Sequence, residues 1–338
     1  MITFEDVFTY DNLYDAARKC CNGVRWKTSV KKYEGNLVEN ISSVKQKLEN
    51  GTYKSHKLTT FMLRADRGKL RKISAPHITD RPIQRCLCNN FLENEIIKKL
   101  IYNNGACIKD KGLDFSIQQL KKDLISYATN HKNEGYVLTV DFSKFFDSID
   151  HEILLNKIDQ LHGDDKIKKL YSYLISLSKS DKGLSLGNQV SHISALYYLN
   201  EIDHYIKEHL HIRYYGRYMD DCYLICDDKE HLKYCLSEII RLSEKLKLNL
   251  NLKKTQIRKV KNFMFLNRHW YISTTGAVTC KLSKRTLIRL RRKYVYLEKN
   301  KPDALENFMS SIKGLEKQAK GVINYVCSKR ECQPKKEY

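Results

Sequence analysis

Ile212-Arg213-Tyr214-Tyr215-Gly216-Arg217, Tyr218-Met219-Asp220-Asp221 and Cys222-Tyr223-Leu224-Ile225-Cys226 follow one another without a break. Two β-prone runs flank adjacent carboxylates, and a second acidic pair, Asp227-Asp228, closes the second run. This pattern predicts a β-hairpin with Asp220 and Asp221 at its turn. Neighbouring carboxylates repel, so the arrangement costs free energy unless a cation lies between them or water screens them. Two readings fit these residues alone. One is a solvated Asp-Asp turn, since Asp is an ordinary turn residue. The other is a strand-borne pair that binds a divalent cation for phosphate chemistry.

The charge of the chain bears on that choice. Its 338 residues carry 61 Lys and Arg against 39 Asp and Glu, a formal net charge of +22. An excess of this size favours a polyanionic partner, nucleic acid first and an anionic membrane second. No run of apolar residues is long enough to span a bilayer. The start, Met1-Ile2-Thr3-Phe4-Glu5-Asp6, lacks the basic and apolar regions of a signal peptide. A cytoplasmic protein without a membrane partner is expected. The 11 cysteines form no Cys-x-x-Cys pair, and reduced thiols are expected, with Cys222 and Cys226 in a buried strand.

With only 4 Pro, 14 Gly and no low-complexity linker, one continuous multi-lobed body is expected. Residues 11–50 show helical patterns with basic patches at Arg25, Lys27, Lys31 and Lys32. Lys57–Leu63 and Lys69–Ser74 read as strands around the turn Asp66-Arg67-Gly68. A helix is predicted from Asp80 to Leu100, with Asp80 as N-cap and Pro82 in the first turn. Further helices are predicted over 113–130, most of 151–178, Val190 to His209, 229–247 and Lys281 to Tyr325. Strands are predicted at Val137–Val140 and as a pair between Phe263 and Thr274. Helices interleaved with an antiparallel hairpin indicate an α+β fold rather than a doubly wound sheet.

A second acidic element, Asp141-Phe142-Ser143-Lys144-Phe145-Phe146-Asp147, begins where the apolar run Val137–Val140 ends. A carboxylate at a strand end can point into a cleft. If this strand lies beside the hairpin in one antiparallel sheet, three carboxylates converge. Two-metal phosphoryl transfer needs that geometry, and Mg²⁺ favours a few carboxylates plus substrate phosphates.

Taken in order, the Asp-x4-Phe-Phe-Asp element, the loop Lys182-Gly183-Leu184-Ser185-Leu186-Gly187-Asn188-Gln189-Val190-Ser191-His192 and the Tyr-Met-Asp-Asp hairpin resemble the palm of a reverse transcriptase. The resemblance covers Arg25 to Tyr325. It implies a right-hand polymerase with fingers, a palm built on an antiparallel sheet and a short helical thumb. Residues 1–55 would be an N-terminal helical extension, 56–135 the fingers, 136–275 the palm with part of the fingers, and 276–338 the thumb and C-terminal tail.

The resemblance also implies roles. Asp141, Asp220 and Asp221 would bind two Mg²⁺, with Mn²⁺ as a substitute, and the Phe142 carbonyl would join the shell. Phe146 would close against the 2′ position of the incoming sugar, leaving Phe145 to the core. Gly187 and Gln189 would belong to the loop-helix that supports the nascent base pair. Lys69 and Arg71, on a basic hairpin, would bind triphosphate. Arg81 would order the fingers or contact template phosphate. Lys254 would protonate the pyrophosphate leaving group, although a mobile surface lysine fits the same position. Phe263–Arg268 resembles the primer grip with Asn267 in place of Gly, and Asn tolerates positive φ. Leu282, Leu287, Leu290 and Tyr294 make an apolar stripe that leaves Arg289, Arg292 and Lys293 to track a duplex backbone.

Many reverse transcriptases carry Gln where Leu186 stands. Leu or Ile there, with Ser four residues after the Gly and then Gln, is typical of diversity-generating retroelement enzymes. This chain has Leu186, Gly187 and Ser191 but His192. The expected partners are template RNA, the RNA/DNA hybrid, dNTPs and a small basic helical accessory protein. An antiphage-defence reverse transcriptase is the closest alternative. A non-catalytic RNA-binding protein with a polymerase-like fold is the alternative from another class. Group II intron enzymes fit less well, and no RNase H domain is expected in this length.

Overall fold

The computed structural model describes residues 1–64, 68, 70–131, 134–178 and 180–328. Lys69, with Asp66 and Arg67 of the expected turn and the end of the C-terminal tail, lies outside the described residues. The first elements are α1 (Phe4–Val7), α2 (Tyr10–Cys21), α3 (Thr28–Gly35), α4 (Leu37–Glu49), β1 (Thr59–Arg64), β2 (Leu70–Ala75), α5 (Arg81–Leu87), α6 (Glu93–Ile96), α7 (Leu113–His131) and β3 (Tyr136–Val140). Next come α8 (Phe145–Ser148), α9 (His151–Asp159), α10 (Asp165–Ser176), α11 (Gln189–Tyr198), α12 (Asn200–His204), β4 (Tyr214–Tyr218), β5 (Asp221–Cys226) and α13 (Lys229–Lys245). The last are β6 (Gln256–Lys259), β7 (Asn262–Phe265), β8 (Arg268–Ile272), β9 (Val278–Leu282), α14 (Lys284–Asn300), α15 (Leu305–Gln318) and α16 (Val322–Cys327). The fold is α+β with antiparallel sheets, as expected. No described helix is long and apolar enough to cross a membrane.

Two compact units emerge. The first comprises Met1–Asp110, Phe142–His211 and Ser237–Asn251. In it Leu13, Ala16, Ala17 and Cys21 form the buried stripe of α2, which packs on α4 and α5. The Cys86 thiol donates to the Val7 carbonyl at 3.0 Å and ties α1 to this core. The hairpin β1–β2 pairs Thr59 with Ala75 through Arg64 with Leu70.

The helix expected from Asp80 to Leu100 is broken up. A π-helical turn, Cys88–Leu92, separates α5 from α6, and a 3-10 turn, Ile97–Lys99, ends the run. Asp80 stands at the N-cap position but makes no capping bond. Its carboxylate, 1% exposed, accepts instead from the Tyr53 hydroxyl and the His56 amide, both at 2.9 Å. Buried carboxylates are kept where donors surround them, and the segment before β1 offers more of them than the first turn of α5.

The second unit comprises Lys111–Asp141, Ile212–Leu236 and Leu252–Tyr338. Its larger sheet has the order β4-β5-β3-β6. The central strands β3 and β5 are largely buried, which is why they read as apolar runs. Helix α7 packs Ile117, Leu120, Leu124 and Tyr127 into a core with Val137, Ile225, Phe263, Phe265 and Trp270. A second sheet, β7-β8-β9, turns at Leu266 and Asn267, whose φ values are 50° and 59°. Both central residues of a type I′ hairpin need positive φ, so Asn267 serves where Gly was the expected residue.

Strands β6 and β9 had no counterpart in the sequence reading. β9 contains Lys281 and Leu282, so the helical tail starts later, at Lys284, where the Ser283 side chain caps the Thr286 amide. From there Leu287, Leu290, Tyr294 and Leu297 pack with Phe308, Ile312 and Val322 of α15 and α16.

Candidate active site

Strands β4 and β5 pair down to Tyr218 opposite Asp221, which leaves Met219 and Asp220 as a two-residue turn. Met219 has φ 58°. For a residue with a Cβ this costs on the order of 1 kcal/mol, so the surroundings must hold it. Arg217, only 2% exposed, does so by donating from Nη1 to the Met219 carbonyl at 2.9 Å. Arg217 is not among the residues that the sequence pattern singles out. Its signal was a basic residue inside a β-prone run, immediately before an acidic turn. Beneath the hairpin, the Tyr223 hydroxyl donates to Asp123 of α7 at 2.6 Å. A Cβ on Gly216 would stand 2.7 Å from that hydroxyl, so the facing strand needs Gly there.

Strand β3 runs antiparallel to β5 with Val140 opposite Cys222. Asp141 therefore follows β3 at the level of Asp221. The Asp141 side chain is 9% exposed at residue level and is held by Lys254, whose Nζ donates to Oδ1 at 2.7 Å and to Oδ2 at 2.9 Å. The Asp141 amide donates to the Thr255 hydroxyl at 3.4 Å, so consecutive residues secure one aspartate. Asp221 is pushed up to about 7, by burial first and then by the charges of Asp220 and Asp141; Lys254 opposes the shift. Asp221 also hydrogen-bonds Asp141. Asp141, Asp220, Asp221 and Lys254 thus form one electrostatic cluster within the second unit.

Three carboxylates offer hard oxygen donors only, and their repulsion is relieved by a proton on Asp221 and the ammonium of Lys254. A hard divalent cation fits that set better than either substitute. Among the described residues no three His, Cys, Asp or Glu side chains are gathered into a ready cage. Ions that take few protein carboxylates and complete their shell with phosphate and water suit such a site.

The repulsion has a measurable consequence. Without a cation, folded Asp221 keeps its proton up to about pH 7, whereas the unfolded chain loses it near 3.8. The native state binds the proton more tightly, so stability falls as pH rises between these values. Asp221 is half-buried, so solvent screens part of the effect. Asp221→Asn should therefore stabilise the protein in EDTA at pH 8 by about 1–2 kcal/mol, and less at pH 5. Thermal melts at both pH values check this, and a difference independent of pH would refute it.

The remaining predicted residues are placed as follows. Phe145 is buried at 3% exposure, and Phe146 is half-buried with its ring perpendicular to His192, centroids 5.8 Å apart. Gly187 has φ 103°, and a Cβ there would meet Ile73 at 3.0 Å. The Ser74 amide donates to the Leu186 carbonyl at 3.0 Å, so this loop lies against β2. The Gln189 amide donates to Asn89 and Glu93 at 3.2 and 3.0 Å. Arg71 is exposed on β2, and Arg81 donates to the Pro76 carbonyl at 3.0 Å, holding the exit from β2. Phe142 bridges to Leu250. Arg289, Arg292 and Lys293 are exposed on α14, with the Lys293 ammonium 4.9 Å from the Phe308 ring centroid.

Among solved structures, similar folds include the telomerase of Candida albicans with a TWJ fragment of telomeric RNA. It matches at TM-score 0.49 and 12% identity, over 81% of this chain and 57% of that one. An apo telomerase of Candida tropicalis truncated from its C-terminal domain matches at TM-score 0.49 and 13% identity, over 72% and 60%. The chain spans less than two thirds of the length of either. No curated protein sequence gives a match. The profile of the reverse transcriptase (RNA-dependent DNA polymerase) family matches residues 55–269. That segment holds the Asp141 strand, the Gly187 loop and the acidic hairpin, and is well over half of the chain, which therefore belongs to the reverse transcriptase family, the RNA-directed DNA polymerases.

Proposed function

We propose that the chain copies a retroelement RNA into cDNA by two-metal nucleotidyl transfer, in a diversity-generating retroelement. The gathering of Asp220 and Asp221 beside Asp141, with Lys254 bound to Asp141, carries the catalytic part. The three aspartates, with the Phe142 carbonyl, would hold two Mg²⁺, for which Mn²⁺ can substitute. Bound there, the ions supply activation of the primer 3′-hydroxyl and neutralisation of charge on the leaving pyrophosphate. Lys254 holds a proton at this carboxylate cluster and is assigned to deliver it to the pyrophosphate. Arg71, with Lys69, is assigned to the triphosphate, Phe146 to the sugar, and Arg289, Arg292 and Lys293 to the backbone of the RNA/DNA hybrid. Fingers at 56–135, palm at 136–275 and thumb at 276–338 are part of the same reading, as is a small basic helical accessory protein.

The retroelement type rests on Leu186. Its side chain offers no hydrogen bond where a Gln would, next to a glycine whose backbone approaches β2 closely. A lost polar contact near the nascent pair is worth about 1 kcal/mol or more, enough to relax discrimination roughly tenfold. Primer extension on defined RNA templates tests this. Misincorporation opposite adenine should exceed that opposite the other three bases by about tenfold, and Leu186→Gln should remove most of the excess. Equal error at all four bases would overturn the assignment. It would favour the antiphage-defence reading.

A further inference from the structure

We propose that the corner between α2 and α3 is a contact for single-stranded RNA, separate from the carboxylate cluster and independent of which RNA is copied. Trp26 lies in this corner and is 74% exposed. It takes no part in the buried stripes of α2 or α3, which are Leu13, Ala16, Ala17 and Cys21 on the one and Val30 and Tyr33 on the other. An indole left in water forgoes about 2 kcal/mol of burial, so nothing in folding explains its place. The Lys27 ammonium sits 5.1 Å from its ring centroid. A second aromatic–cation pair lies on α2, with Arg18 5.9 Å from the centroid of the exposed Tyr14 ring.

The segment from Arg18 to Lys32, which carries Trp26, has charge of one sign. It contains Arg18, Lys19, Arg25, Lys27, Lys31 and Lys32 and no acidic residue. All six cations are exposed. Among the described residues only Arg25 of the six meets a carboxylate, that of Glu34, with Nε 2.9 Å from both oxygens. On the α2 side, Tyr14, Arg18, Glu34, Leu37, Val38 and Glu39 line an open cleft of about 350 Å³, where two carboxylates face the cation.

Aromatic faces spaced among cations are what a flexible polyanion with free bases needs. Stacking on a side chain contributes about 1–3 kcal/mol per base, and the cations follow the phosphates. A duplex hides its bases and would leave Trp26 unused. A protein or membrane partner would need an apolar patch, whereas Trp26 is followed by exposed Lys27, Thr28 and Ser29. The family's template is RNA, so an unpaired template segment is the strand at hand.

The test is fluorescence anisotropy of a labelled, unstructured RNA of about 16 nucleotides, the upper end of single-strand site sizes, titrated with the full chain in EDTA. Trp26→Ala should weaken binding about tenfold and Trp26→Phe much less. Lys31→Glu/Lys32→Glu should weaken it too and reduce the salt slope by about 1.4, that is 0.7 per phosphate contact. Affinity for a blunt RNA duplex should change little in any of them. Asp220→Ala/Asp221→Ala should bind the single strand as wild type does, which separates a failure here from a failure of the catalytic reading. Incorporation by Trp26→Ala on a short saturating primer-template reports an intact fold; if that is lost, the lysine pair decides. Wild-type affinity in both Trp26→Ala and the lysine pair, or equal losses for single strand and duplex, would overturn the proposal.

Discussion

Asp220→Ala/Asp221→Ala should incorporate no dTTP above background on poly(rA)·oligo(dT) with Mg²⁺, a loss of at least about 10³-fold, while remaining folded. Charge stabilisation by bound ions contributes several kcal/mol to such a transfer, and about 4 kcal/mol corresponds to 10³ in rate. The fold should survive because neither side chain belongs to the apolar core beneath the sheet. Arg217 bonds a backbone carbonyl of the turn and Tyr223 bonds Asp123, so neither contact depends on the deleted carboxylates. Removing the pair also removes a carboxylate whose pKa burial, and then the charges of Asp220 and Asp141, hold up. The variant should therefore melt no lower than wild type in EDTA, and loss of structure is not available as an explanation for its inactivity. Background incorporation by both proteins would overturn catalysis, and activity in the variant would overturn the assignment of these two residues.

The hairpin and the Asp141 strand were legible because their information is local. Strands buried on both faces must be apolar along their length, and a carboxylate that ends such a run stands out. Their adjacency was inferred, and the pairing of Val140 with Cys222 supplies it. What escaped reading depends on tertiary partners. Arg217 is an ordinary basic residue until its guanidinium is seen beneath the turn. Asp80 satisfies the sequence rule for a cap, yet donors before β1 take its carboxylate. β9 is short, ends in a basic tail and is fixed by pairing with β8, so the helical pattern that follows overran it. Lys254 was legible as a candidate, but a mobile surface lysine fitted the same position. The register that points Thr255 at the Asp141 amide places Lys254 on its carboxylate.

Phe146→Val should lower the preference for dCTP over CTP by about 10–100-fold in kcat/KM, with the efficiency for dCTP changed only a few-fold. The expectation follows from how the ring is held. Phe145 is buried, and its ring meets Phe146 edge-on, centroids 5.6 Å apart at 77°. His192 meets the ring of Phe146 at 90°. Burial lowers the pKa of His192, so near pH 7 the imidazole stays neutral and packs as an uncharged wall. In the role proposed for it, a ring clamped in this way would exclude a 2′-hydroxyl by volume, with no polar contact to weaken. Forcing an extra group against a well-packed neighbour costs about 1–3 kcal/mol, which sets the fold-change. His192→Ala, which frees one side of the ring, should lie between wild type and Phe146→Val, and the effect should appear in CTP use rather than in dCTP turnover. Unchanged discrimination in Phe146→Val would place the sugar gate on another residue. A loss in Phe146→Val with none in His192→Ala would mean that Phe145 alone holds the ring.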